Sequence, residues 1–493
     1  MERELRPIDH TITEGSEMLT LSDPQFNINR ARVSSRPRTF AILVLCCLIS
    51  GGLGQWLTVT HIWDKVDFEY PTTYMRRLFL ESKEHVPEDV VLLDVDEYKD
   101  RIFVTSPSLI SGTPASLSTL IPRKDKPGFS LLRPFPDWAW HNITDPRDCQ
   151  SIKSIFRIKI DKLGRLWAVD SGVGFAFSER KGRYNCNPKI MVFDLEDHDR
   201  LIRSYEIDKL DIDEDSLLLN IEVQILSKDG EETFAYIADS MGTRMIVYDF
   251  AKDEVHAYQH PYFFPDPSYG FYHVNDRKFT VMDGLFNIVV DEKTDTLYFH
   301  TLSSGSECSA PAALLRNKTM TEDQARTFTR SAPRPFHVST EVITDNGLII
   351  FPSLEDNALF VWDTKTPYTI DNFLLVAKDD EVIQFPTGMK IAGDKFIMLT
   401  ARLQNMLVTG VPNRHEINYR ILQGDVDVLK HLFNRHAYKI RRKPSHNHQP
   451  GGQLNKNRVE VATSYSYSRN TLHKPFRMST HQEKPYRANK FFS

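Results

Sequence analysis

Ile102-Phe-Val-Thr-Ser106, Leu166-Trp-Ala-Val-Asp170, Ala235-Tyr-Ile-Ala-Asp239, Leu297-Tyr-Phe-His-Thr301, Leu348-Ile-Ile-Phe-Pro352 and Phe396-Ile-Met-Leu-Thr400 are six versions of one short apolar segment. Their starts lie 64, 69, 62, 51 and 48 residues apart. That spacing is too long for a helical solenoid repeat and fits a propeller blade with enlarged loops. A second motif follows three of them about one hairpin downstream: Ile190-Met-Val-Phe-Asp194, Met245-Ile-Val-Tyr-Asp249 and Leu359-Phe-Val-Trp-Asp363. A lone four-stranded sheet cannot bury both its faces, so such a unit has to stack against copies of itself. The repeat therefore predicts an all-β chain: a six-bladed β-propeller between an N-terminal leader and a basic tail.

Charge is unevenly spread. From His436 to Ser493 there are 12 Lys and Arg against 2 acids, whereas residues 1–38 hold six of each sign. With a whole-chain charge of −5, residues 39–435 carry −15. An acidic body argues against a nucleic-acid-binding core, and no nucleic-acid partner is expected. It would suit a cationic small molecule near the channel, or simply keep the protein soluble.

The leader, residues 1–54, contains the only long uncharged apolar run, Phe40–Leu53, behind Arg30, Arg32, Arg36 and Arg38. Positive residues followed by a short apolar stretch and small residues read as a secretory signal cleaved after Gly54. The run is shorter than the roughly 20 residues that span a bilayer, and a type II single-pass anchor is the alternative. Two glycosylation triplets, Asn142-Ile-Thr and Asn317-Lys-Thr, agree with export. Past the leader remain Cys149, Cys186 and Cys308, an odd number that implies one bridge and one leftover thiol. The first choice is Cys149–Cys186, because both flank one blade.

The propeller is placed at 55–435. Residues 55–80 are apolar enough to form an outer closing strand or a cap, and 205–220, 256–280 and 306–335 are expected to be surface loops. The 256–280 loop is dense in aromatic residues and His, and packing against a blade is favoured over lidding a cavity. Residues 436–493 lack apolar periodicity and read as a disordered, His-bearing basic tail. Such a tail could touch an acidic extracellular matrix or hold metal loosely through His446 and His448; a solvated tail is the simpler reading.

No nucleophile elbow, HExxH, phosphate loop or dinucleotide fingerprint is present, and no cofactor is expected. Propeller sites form where inner strands converge on the axis, which nominates Asp170, Asp239, Asp283, His300, Glu355, Asp356 and Thr387. Carboxylates there could hold a metal or a ligand ammonium, although Asp at such positions more often caps turns. His300 is the weak candidate for a catalytic base. Phe385-Pro-Thr-Gly388 and Arg402-Leu-Gln-Asn405 bracket the last blade and could line the axial pocket.

Several stretches, in order, resemble the Yellow/major royal jelly protein family of insects. They include Lys99-Asp-Arg-Ile-Phe-Val-Thr105, Gly112-Thr-Pro-Ala-Ser-Leu117, Pro134-Phe-Pro-Asp-Trp138 and Ser154-Ile-Phe-Arg-Ile-Lys-Ile-Asp161. Gly164-Arg-Leu-Trp-Ala-Val-Asp-Ser-Gly172, Tyr236-Ile-Ala-Asp239, Pro352-Ser-Leu-Glu-Asp-Asn357 and Gln384-Phe-Pro-Thr-Gly388 continue it, over roughly residues 56–430. The resemblance implies a secreted, often glycosylated six-bladed propeller. It also implies roles in cuticle pigmentation, development or eggshell, nutrition or salivary amine binding, with dopachrome conversion credited to some members. Membership alone does not choose among these.

Two departures bear on function. Leu163 stands where the family often has Cys, which would account for the odd cysteine count. Amine-binding relatives use a Thr that matches Thr387, and an Asn and a Phe where this chain has Ala401 and Leu403. Each loss would weaken a small ligand by about 1–2 kcal/mol. The expectation is a secreted pigmentation or developmental protein that binds a catechol, indole or biogenic-amine ligand in its channel. A dopachrome-converting isomerase and a structural matrix or eggshell protein are the alternatives, and the missing catalytic signature favours binding.

Overall fold

A computed structural model describes residues 56–441, apart from 143–144, 146, 175–185, 209 and 211–215. Among them are six four-stranded antiparallel sheets, each running from an inner strand outward. Blade 1 is Asp94–Tyr98, Arg101–Thr105, Leu117–Pro122 and Ser130–Pro134; blade 2 is Ile155–Ile160, Arg165–Asp170, Lys189–Asp194 and Arg200–Glu206. Blade 3 is Leu218–Ile225, Thr233–Asp239, Arg244–Asp249 and Glu254–Gln259. Blade 4 is Leu285–Asp291, Thr296–Thr301, Cys308–Pro311 and Thr329–Arg330. Blade 5 is Val342–Ile343, Leu348–Ser353, Ala358–Asp363 and Leu374–Lys378. Blade 6 takes Pro386–Ala392, Lys395–Thr400 and Tyr419–Asp425 from the end of the domain and Leu57–Trp63 from its beginning.

The six repeated segments are the second strands of the blades, and the Val-aromatic-Asp motif marks third strands. Second strands are walled in by the blades on either side, so Arg165–Asp170 and Leu348–Ser353 are buried at every position. Burial on both faces writes a continuous apolar run into the sequence. Outer strands face water, and Arg200–Glu206 has a single buried residue. Their signal is correspondingly faint.

Closure comes from Leu57–Trp63, which pairs antiparallel with Tyr419–Asp425, Leu57 opposite Gly424 and Trp63 opposite Tyr419. Two tryptophans fix this strand sideways. Trp56 Nε1 donates to Val376 O of blade 5 at 3.0 Å, and Trp63 Nε1 donates to Ser130 O of blade 1 at 2.8 Å. A ring closed this way leaves no long exposed sheet edge at the join.

The loops differ from expectation in places. Residues 306–335 hold the third and fourth strands of blade 4 as well as two short helices, Ala312–Leu315 and Glu322–Ala325. These strands are four and two residues long, too short for a period-2 pattern to show. Residues 205–220 include the end of blade 2 and the start of blade 3. The helix Val426–Arg441 runs past the compositional change at His436, so the backbone order extends beyond the boundary drawn at 435. Cys149 and Cys186 form a disulfide, and Cys308 is a buried free thiol. Residues 1–54, read from the sequence as a leader with the apolar run 40–53, and tail residues 442–493 lie outside the described residues. Among those described, no helix is long and apolar enough to cross a membrane.

Candidate functional site

The inner strands are not regular, and their irregularities build the channel. Pairing skips two residues between Ile155 and Ile158, and one between Leu218 and Asn220, Leu285 and Asn287, and Pro386 and Gly388. Each bulge lies near the start of its strand and re-aims the residue it frees. Phe156, Leu219 and Phe286 from blades 2, 3 and 4 thereby join one apolar cluster with Ala401 and Leu403 of blade 6. Thr387 is the freed residue of blade 6, placed two residues after Phe385, whose carbonyl accepts from Ala401 N at 3.2 Å. The structure thus gathers Thr387, Ala401 and Leu403 at one end of the axis. The Thr387 hydroxyl is buried with no partner.

Below this apolar layer the channel is barred. The Arg157 guanidinium reaches from blade 2 to Asn287 Oδ1 of blade 4 and to Ser339 O on the approach to blade 5, both at 3.3 Å. Asn220 Nδ2 and Thr340 Oγ1 donate to the same Asn287 oxygen at 3.0 and 3.4 Å. Burial lowers the Arg157 guanidinium to about 10, so it stays charged at neutral pH. A void of about 30 Å³ is left beside these groups. Beyond the bar the axis opens into a vestibule of about 690 Å³ at the opposite mouth, lined by eight carboxylates and five lysines. Asp96 lies at its foot, its carboxyl raised by burial to about 6 against the pull of Lys390.

The upper end is roofed by the hairpin Phe271–Val274 and Arg277–Thr280. Tyr272 stacks on His337 with ring centres 4.0 Å apart and on Phe279 at 5.1 Å. Tyr272 also joins Leu302, Leu354 and Phe385 in a core cluster against which Leu403 and Phe286 pack. Arg277 Nε donates to Asn405 Oδ1 at 3.0 Å, and Asn405 Nδ2 donates to Glu416 Oε1 at 2.6 Å. The aromatic loop is therefore packed, as expected, and its last part also covers the end of the channel.

The nominated carboxylates divide by role. Asp170 accepts from Lys153 N and Ser154 N, both at 2.8 Å, and Asp239 accepts from Leu217 N and Gly242 N at 2.9 Å. Both end second strands and tie them to the chain entering an inner strand. Glu355 binds His337, and Asp356 accepts from Ser353 Oγ at 2.8 Å. These four hold turns. Asp283 differs: its carboxylate accepts no hydrogen bond among the described residues, it retains partial exposure, and burial alone lifts it to about 6.

His300 does not serve as a base at the channel. Its ring is fully buried behind the wall, between Glu307 and Glu341. Burial alone would lower its pKa; the two carboxylates outweigh that and hold the imidazolium to about 9. Buried behind the wall, the imidazole cannot reach a ligand in the channel. Of the two Asn-X-Thr triplets read as glycosylation signals, Asn142 is half-buried and its amide donates to Asp148 Oδ2 at 3.0 Å, whereas Asn317 is exposed beside blade 4. Residues 143 and 144 of the first triplet lie outside the described residues.

Sequence reading missed Arg157, Asn220, Asn287 and the bulged aromatics. A signal existed: Leu218-Leu-Asn-Ile221 and Leu285-Phe-Asn-Ile288 repeat one pattern at the start of two inner strands. A buried Asn recurring at one blade position marks a polar layer across the axis.

Residues 153–432 match the family model described as Major royal jelly protein. The chain belongs to the Yellow/major royal jelly protein family. Among its relatives is the Dopaminechrome tautomerase of Drosophila melanogaster, 30% identical over 389 residues that cover 76% of this chain and 82% of the relative. Protein yellow of Drosophila melanogaster is 31% identical over 403 residues, covering 78% and 72%, and that of Drosophila yakuba is 30% identical over 404 residues, covering 79% and 73%. The matched region of this Yellow-family chain takes in blades 2 to 5, three strands of blade 6 and the channel bar.

Proposed function

We propose that this Yellow-family protein acts in pigmentation chemistry by binding a small catechol- or indole-type compound under the roof, at the upper end of the channel. The observation that carries this reading is the buried, unpartnered Thr387 hydroxyl beside an aromatic and aliphatic layer. Leaving such a group unsatisfied is unfavourable by about 1–3 kcal/mol, and a ligand hydroxyl relieves it. Phe156, Phe286 and Leu403 offer apolar walls to a flat ring, and Asp283 offers a carboxylate to an ammonium at the same end. Calorimetric titration with dopamine, serotonin and dopaminechrome tests it. Thr387→Val should weaken binding about five- to tenfold, the worth of one hydrogen bond. Equal affinity in wild type and variant would place the ligand elsewhere, with the 690 Å³ vestibule as the next candidate.

A second reading is supported by the tautomerase relative and by Asp283. A carboxylate near pKa 6 can take a proton from a ring carbon of an aminochrome while a proton is returned to the quinone oxygen, an isomerisation with no net change of atoms. Decay of dopaminechrome no faster than its spontaneous rate would remove this reading and leave binding intact. The leader directs the protein out of the cell; amino-terminal sequencing of protein recovered from culture medium checks that its first residue follows Gly54.

A further inference from the structure

We infer that a divalent transition-metal ion of the zinc, manganese or iron(II) type sits between blades 4 and 5, held by His300, Glu307 and Glu341. His300 comes from the second strand of blade 4, Glu307 from the turn into its third strand, and Glu341 from the residue before the inner strand of blade 5. All three are essentially without solvent exposure, and one ligand atom from each lies within 4.8 Å of the others. His300 Nδ1 stands 3.3 Å from Glu307 Oε2 and 3.5 Å from Glu341 Oε2. Metal–ligand bonds of about 2.0–2.2 Å put neighbouring donors of a tetrahedral site roughly 3.3–3.6 Å apart. His300 Nδ1 already stands at that spacing from a carboxylate oxygen of each glutamate.

Satisfaction of the same atoms points the same way. Apart from these approaches to one another, both nitrogens of His300, both oxygens of Glu307 and Glu341 Oε1 are buried without a hydrogen-bond partner. Five buried polar atoms with no partner outside their own cluster, converging in one place, are more than a folded interior normally tolerates. Arg334 is close by but directs its donors to Phe336 O, Tyr368 Oη and Ser304 O at 3.1, 3.3 and 3.4 Å. One imidazole and two carboxylates form a donor set of borderline character, suited to zinc, manganese or iron(II). Glu341 lines the 30 Å³ void, whose lining residues Lys159, Glu222 and Ile343 also line the vestibule. Sealed from ligands behind the channel wall, the ion would cross-link two blades and take no part in chemistry there.

The test uses untagged full-length protein. Elemental analysis after gel filtration should find one equivalent of one such metal, absent from Glu307→Gln and Glu341→Gln. Protein stripped with a chelator should regain its melting temperature on adding zinc, manganese or iron(II), and neither variant should respond. Should the variants fail to fold, competition of the stripped wild type with a chromophoric chelator decides, with one site expected per chain. Metal that persists in both variants belongs to other residues, such as His446 and His448, and overturns the inference. So does metal-free wild type whose melting is indifferent to added cations, because the cluster is then an imidazolium held by two carboxylates.

Discussion

Replacing Asp94 by asparagine should open the seam between the last blade and the first. Asp94 is the first residue of blade 1, fully buried, and both its oxygens lie 2.8 Å from Lys390 Nζ on the inner strand of blade 6. Its Oδ2 also accepts from Ile158 N of blade 2 at 3.0 Å, so one carboxylate joins three blades. The approach is close enough that Gly388 is obligatory: a Cβ there would lie 2.8 Å from Asp94 Cα. An amide in place of the carboxylate would keep one acceptor but break the direct ion pair of the buried Lys390 ammonium, leaving only the Asp96 carboxylate, itself disfavoured by burial, as a nearby counter-charge. Breaking a buried pair on one side is unfavourable by about 3–5 kcal/mol. With unfolding entropy of about 2.1 cal/mol/K per residue over roughly 380 residues, each kcal/mol moves Tm by about 1.3 °C, so the melt should fall about 4–6 °C. The assay is calorimetry of wild type, Asp94→Asn, Lys390→Met and the double variant. The double variant should recover much of the loss, since two neutral groups no longer strand a charge. A melt within about 1 °C of wild type for Asp94→Asn would refute the reasoning, because it would mean that the ammonium reaches water in the folded protein.

Three further outcomes are expected. Asp283 has a folded pKa near 6, above its ordinary value of 3.8, so the folded state takes up a proton between these limits and gains stability as pH falls through them. Asp283→Asn should therefore raise Tm near pH 8, where the wild-type carboxylate is charged and desolvated, and lose that advantage near pH 4; dopamine binding to wild type should strengthen as pH rises through about 6. Arg277→Ala removes the hydrogen bond to Asn405 that latches the roof, and stopped-flow mixing should show faster ligand association and faster release, with affinity little changed. A roof that does not gate entry would leave both rates as they were. Cys149→Ser opens a 37-residue crosslink and should destabilise the domain by about 3–4 kcal/mol, read as a lower denaturant midpoint than in wild type.

Blade number and order were legible because second strands, buried on both faces, must be apolar throughout. Asp239 and Asp170 could be read as turn residues for a similar reason: each serves backbone donors close to itself in the chain, 22 residues away at most for Asp239 and 17 for Asp170. The same logic failed for the two-residue strand Thr329–Arg330, where length leaves no pattern, and for His300. A strand histidine looks alike from the sequence whether it faces the axis or the neighbouring blade, because one bulge inverts the side on which later residues fall.

What the chain alone determined is the local wall: the strands, their apolar faces and the closing segment at 55–80, all set by contacts along or between adjacent strands. The tertiary structure decided the interior of the channel. Arg157 meets partners 130 and 182 residues away, and Lys390 meets Asp94 across 296. Such pairings depend on the angle between blades and on bulges in the inner strands. Periodicity records which face of a strand is buried, and it carries no trace of which distant side chain waits on the other side of the axis.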